Sequence, residues 1–189
     1  MKKKLIIFIV LEITIFSLVV NGYCQKSPQF FQLRITSDKK IYEAEGNIEF
    51  LLFFKNMTKE DMYIYIADIY NADLLTITDE TGNSQPSETT VIYDVMWNER
   101  DYKLVKAGEE YKWNIKAKIR KEKNPVIDFG DSLIRLTHPG KFKIFVTYEG
   151  WDGITTDKDG KQITISRKLG LKNVFVDSII SNTILIEIK

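Results

Sequence analysis

Tyr111-Lys-Trp-Asn-Ile-Lys-Ala-Lys-Ile119 places Tyr111, Trp113, Ile115, Ala117 and Ile119 on one side of an extended chain and polar groups on the other. Successive strand side chains point to opposite faces, so a period of two means one buried face and one wet face. Lys141-Phe-Lys-Ile-Phe-Val-Thr-Tyr148 and Asn182-Thr-Ile-Leu-Ile-Glu-Ile188 alternate in the same way. Several such stretches separated by glycine turns predict an all-β fold, an antiparallel β-sandwich.

Working outward, Phe31–Thr36 and Ile48–Lys55 read as the first two strands. Leu51 and Phe53 lie opposite the apolar row of the second strand, which predicts a cover on that face from a later segment. Met62–Ile66 and Leu74–Thr78 follow as strands, the latter ending in the acidic turn Asp79-Glu-Thr-Gly82. Val91–Trp97 is expected as an edge strand or a packed loop, and Arg120–Gly130, with Asn124-Pro125, as a surface excursion. Ile154 to Ile165 brackets Asp159-Gly160 with β-branched runs, a hairpin signal. Leu169–Val176 and Thr183–Ile188 close the fold. No stretch keeps a helical apolar period for three turns.

The N-terminus differs from the rest. Lys2, Lys3 and Lys4 precede an apolar run, Leu5 to Val20, broken by Glu12, Thr14 and Ser17. This predicts a signal peptide over residues 1–24 and a single domain over 25–189. The run is shorter than the ~20 residues of a membrane-spanning helix, so no membrane span is expected after cleavage. Val20 with Gly22, or Gly22 with Cys24, offers small residues before a cut. A lipoprotein signal ending at Cys24 instead finds bulky Tyr23 where a small residue is expected. The expected location is therefore exported: periplasmic, cell-surface or secreted. Cys24 is the sole cysteine, so no disulfide is available to the folded part.

Removing residues 1–24 lowers Lys+Arg from 27 to 24 and Asp+Glu from 26 to 25, leaving a net charge near −1. A near-neutral domain has no global field to gather nucleic acid, and that class of partner is set aside.

The order of turns resembles that of bacterial exported immunoglobulin-like domains. The residues that carry it are Tyr42-Glu-Ala-Glu-Gly-Asn-Ile48, Asp79-Glu-Thr-Gly82, Lys106-Ala-Gly-Glu109, His138-Pro-Gly-Lys-Phe142 and Ser181-Asn-Thr-Ile184. The same order is similar to that of the BsuPI type of intracellular proteinase inhibitor. The resemblance spans about residues 30–188 and consists of turn residues, so it implies architecture rather than activity. Phe142 stands where such domains carry the tyrosine of a tyrosine corner. At ~100 residues a plain sandwich is shorter than this chain, which assigns the surplus to 83–103, 120–135 and 150–170.

Chemistry is sparse. His138, the sole histidine, has no sequence-evident relay partners. Asp157-Lys-Asp-Gly160 looks like a fragment of a calcium loop, but Thr155 and Ser166 stand where that loop needs acids. Asp152, Asp157 and Asp159 are the carboxylates that a metal-dependent hydrolase would have to bring together. Lys112, Lys116, Lys118 and Arg120 share the wet side of one strand. Asn56-Met-Thr58 fits an N-glycosylation acceptor, and Asp131-Ser-Leu133 and Asp177-Ser-Ile179 fit a bacterial O-glycosylation triplet. Neither a catalytic set nor a cofactor or metal motif stands out, and the chain reads as a non-enzyme. Its candidate contact residues are the aromatics of the excursions: Trp97, Trp151, Tyr93 and Tyr102, with Tyr148 beside them. The expected function is a non-catalytic binding or adhesion module of the cell envelope, recognising a protein or a glycan. The alternative is a BsuPI-like proteinase inhibitor presenting Asn83–Arg100.

Overall fold

The computed structural model describes residues 30–66, 74–89, 99–130 and 132–189. The expected signal segment over 1–24, Cys24, the expected element at 91–97 and the candidates Tyr93 and Trp97 lie outside the described residues. In chain order the strands begin β1 (Phe31–Ser37), β2 (Ile41–Tyr42), β3 (Asn47–Asn56), β4 (Met62–Tyr65) and β5 (Leu75–Asp79). Next come β6 (Ser87–Thr89), β7 (Tyr102–Val105), β8 (Glu110–Lys121), β9 (Pro125–Asp128) and β10 (Ser132–Arg135). The chain ends with β11 (Gly140–Glu149), β12 (Ile154–Thr156), β13 (Gln162–Thr164), helix α1 (Ile165–Leu169), β14 (Ser178–Ile180) and β15 (Ile184–Ile188).

Six strands form the first sheet, in the order β1-β3-β8-β9-β10-β6. In the second, β11 pairs with β5 along one edge and with β15 and then β14 along the other. The register slips by one residue between β15 and β14, so Ser181–Thr183 bulges out of one long strand. β2 joins this sheet by a parallel pairing with β15, an exception in an otherwise antiparallel arrangement. The result is an all-β sandwich compatible with an immunoglobulin-like domain.

Alternation decides what fills the sandwich. Leu33 and Ile35 of β1, Phe50 and Phe54 of β3, and Ile115 and Ile119 of β8 point inward. They meet Phe142, Ile144, Val146 and Tyr148 of β11 and Ile186 and Ile188 of β15 in one core. Phe54 sits at its centre, edge-on to Tyr148 at 4.9 Å and stacked near Trp113 at 6.3 Å. Aromatic pairs of this kind add ~0.5–1.5 kcal/mol beyond area burial.

Three sequence expectations are corrected. The cover over Phe53 is not a separate layer but comes from the flanking strands of its own sheet, the earlier β1 and the later β8. Arg34 and Lys112 are its direct cross-strand neighbours, and they lay their cationic groups over its ring at 3.9 and 5.6 Å. The 120–130 stretch is not only an excursion: Pro125, Val126 and Ile127 are buried, and β9 extends the first sheet. The expected hairpin forms between β12 and β13, but it passes directly into α1, and Leu169–Val176 is not a strand. Thr164 caps the helix through Arg167 N–H, and Gly170 ends it at φ 72°.

Candidate functional site

Trp151 lies in the sequence Gly150-Trp-Asp-Gly153, just after β11, and both glycines are there for steric reasons. A methyl group on Gly150 would collide with the Phe175 carbonyl, and one on Gly153 with the Trp151 indole. The chain thus folds back tightly, laying the indole across Gly153 and against Tyr65 with ring centroids 5.0 Å apart. Tyr65 in turn meets Tyr102 edge-on at 5.3 Å, an arrangement fixed by their pairing across β4 and β7. Ile165 of α1 completes a second, smaller core with these tyrosines. Trp151, Tyr63, Leu169, Leu171 and Val174 roof it and are all partly exposed. β4, β7 and the 150–153 corner therefore supply an aromatic platform, with Ile165 and Leu169 of α1 packed against it.

Asp152 locks α1 to this corner. Its carboxylate accepts from Ser166 N–H at 2.9 Å and from the Ser166 hydroxyl at 2.6 Å. The platform is tied to the main core by the buried Tyr148 hydroxyl, which donates to the Tyr65 carbonyl at 2.7 Å. Burial pushes the Tyr148 phenol well above its ordinary range. Tyr102 is only 4% exposed, and its hydroxyl is buried without a hydrogen-bond partner. Burial first, then the charges of Asp152 and Asp101, push its pKa up to about 12.

The structure thus separates the aromatic candidates. Trp151 is half-buried, whereas Tyr102 and Tyr148 lie beneath the surface. Two of the three carboxylates of the hydrolase reading have separate local tasks. Asp152 holds Ser166, while Asp157 accepts from Asp159 N–H and Lys161 N–H inside its own turn. Among the described residues no group of three or more His, Cys, Asp or Glu side chains is arranged to hold a metal ion. His138 is exposed and stacks on Phe142 at 5.7 Å.

The basic stripe does share the solvent face of β8, as expected. Three of its four cations have local neighbours: Lys112 lies over Phe53, Lys116 sits opposite Glu49, and Arg120 pairs with Asp128 at 3.2 Å. Of the modification triplets, Asn56 is fully buried. Its amide donates to the Glu60 and Val105 carbonyls at 2.8 and 2.9 Å, which leaves the nitrogen closed to a glycosyl donor in the folded state. Ser132 is 3% exposed, while Ser178 is open.

A feature that the sequence reading missed is a groove of about 550 Å³ on the lateral side of the sandwich, between β1 and β15. The bulged Asn182 crosses it at one end. Its Oδ1 accepts from Ile35 N–H at 2.9 Å and its Nδ2 donates to the Ile35 carbonyl at 3.1 Å, so one amide imitates a strand residue against the edge of β1. No protein-family model and no curated protein matches the chain in sequence. Among the described residues no helix is long and apolar enough to cross a membrane.

Proposed function

We propose that the protein is an exported, non-catalytic binding module of the cell envelope that recognises a protein or a glycan. The observation that carries this reading is the partly exposed Trp151, held by Tyr65 and Gly153 on an aromatic platform with Leu169, Leu171 and Val174 around it. An amphipathic ring already fixed in place loses little conformational freedom on binding, and it suits a sugar face or an apolar side chain. The basic head and apolar run at the N-terminus support export.

The test presents the mature chain to envelope glycans and to envelope protein extract. Saturable binding that changes tryptophan emission is expected. Trp151→Phe keeps a ring on Tyr65 and should weaken binding about tenfold, since interface aromatics commonly carry that much, with the melting temperature little changed. Binding that is indifferent to this substitution sinks the role of the platform. Absence of binding to either class sinks the module reading.

A proteinase inhibitor is the second reading. The observation in its favour is β6, which is exposed at all three residues and forms an edge of the six-stranded sheet. Incubation with a protease panel decides it, and no inhibition at micromolar concentration removes it.

A further inference from the structure

We infer that the lateral groove between β1 and β15 is a docking site for an extended peptide segment of a partner protein, with aliphatic and acidic residues in alternation. This goes beyond the Trp151 platform and stands without it.

Backbone chemistry comes first. Glu187 N–H donates to the Lys40 carbonyl at 2.8 Å and Lys189 N–H to the Tyr42 carbonyl at 3.0 Å, so the odd-numbered residues of β15 turn their polar groups away from β11. Leu185 has the same parity, and its N–H and C=O face the groove. β2 is only two residues long and pairs at Glu187 and Ile188, so it stops short of Leu185. Beyond Leu185 on the other side, Asn182 already spans to Ile35. The open edge between these two clasps is short, and an added strand continues the line that β2 begins.

Side chains then specify the occupant. A strand seated there alternates between the space between the sheets and the outer face. The inner positions meet the half-buried Ile184, beneath which Ile35 and Ile186 are closed off in the core. The outer positions meet Ile41 and Leu185, which are 49% and 53% exposed, and the rim cations Arg34, Lys40 and Lys141. Against these three cations the groove lining holds one carboxylate, Glu187. Lys141 has only a distant surface partner, Glu80 at 4.0 Å, whereas Arg34 lies over the Phe53 ring and approaches Glu110 at 3.9 Å. Among the described residues Lys40 has no ion-pair partner. In a mature chain with net charge near −1, this local excess of positive charge selects a carboxylate-bearing strand.

The test uses the mature chain and a capped hexapeptide alternating valine with glutamate. Saturable binding should coincide with slowed hydrogen exchange at the Leu185 amide, the direct sign of backbone pairing. The double variant Lys40→Glu, Lys141→Glu changes two exposed side chains and should bind about tenfold more weakly or worse, as expected for reversed interface charges. A peptide N-methylated at alternate positions should fail, a control that leaves the protein untouched. The proposal is overturned by any of four results. These are no binding at millimolar peptide, equal binding of a valine–lysine peptide, binding that leaves Leu185 exchange unchanged, and concentration-dependent protection of Leu185 without peptide. The last result would assign the groove to a second copy of the chain.

Discussion

At the scale of single residues, the structure divides its buried polar groups into those that hold something and those that do not. Tyr148 and Tyr102 are a matched pair: both phenols are buried, but only the first has a partner. Tyr148→Phe strips a hydrogen bond from the buried Tyr65 carbonyl and should cost ~1–2 kcal/mol. Tyr102→Phe removes a hydroxyl that is already unsatisfied, and should be neutral or stabilising by up to ~1 kcal/mol. Urea titrations of the two variants check the contrast, and a larger loss for Tyr102→Phe would show that its hydroxyl has work in solution. Asn56 is more demanding. It donates twice and accepts from the Thr58 N–H and hydroxyl, all from a fully buried site. Asn56→Ala leaves several of these groups unpaired, and a loss of ~2–4 kcal/mol is expected in the same measurement. The sequon pattern at 56–58 is thus better explained by structure: the amide closes a turn, and Thr58 closes on the amide.

At the scale of elements, the turn after β5 is organised by one carboxylate. Asp79 accepts from the Thr81 hydroxyl at 2.6 Å, the bond that contributes most to holding its pKa down to about 2, against the opposing effect of burial. The N–H groups of Thr81 and Asn83 add to it at 2.9 Å each. A folded-state pKa depressed from 3.8 to about 2 means stabilisation present above pH ~4 and lost as pH falls through about 2. Acid titration of stability should therefore show a component in that window, absent from Asp79→Asn. The corner at 150–153 yields a steric test. Gly153→Ala forces the indole off its seat and should cost ~1–3 kcal/mol, as overpacking does, with a shift in tryptophan emission. These elements also show what the sequence could carry. Long alternating strands such as β3, β8 and β11 were legible because a period of two persists over many residues. Helix α1 was not, because five residues hold no period. Its only marks are Thr164 and Gly170, a cap at each end. β9 was hidden by charge: Arg120–Lys123 reads as a surface loop, while the apolar Pro125–Ile127 behind it goes inward. Trp151 was legible as a loop aromatic, but its support by Gly153 and Tyr65 depends on contacts distant in sequence. The lateral groove left no mark, since an open strand edge is a property of pairing and not of composition.

At the scale of the molecule, the chain folds around two cores of unequal size. The larger lies between the sheets, and the smaller, built on Tyr65, Tyr102 and Ile165, lies beneath α1 and the platform residues. They share β4 and β7, and are also joined by the Tyr148–Tyr65 bond and by the pairing of Tyr63 with its neighbours, where Tyr63 N–H meets the Asn173 carbonyl at 3.0 Å and Phe175 N–H meets the Tyr63 carbonyl at 2.9 Å. β12 and β13 pair only with each other, and their residues are exposed or half-buried. A unit with so little buried surface of its own opens more easily than the sheets do. Native-state hydrogen exchange should therefore show amides of β12, β13 and α1 exchanging through a local opening, well below the free energy that protects β3, β8 and β11. Asp152→Ala removes the lock on Ser166 and should lower protection in the hairpin and α1 by ~1–3 kcal/mol, the range for a hydrogen-bonded carboxylate, while the global urea midpoint moves far less. Should both fall together, the platform would be an integral part of the sandwich. Its Trp151 would then be held by the whole fold rather than by a unit that opens on its own.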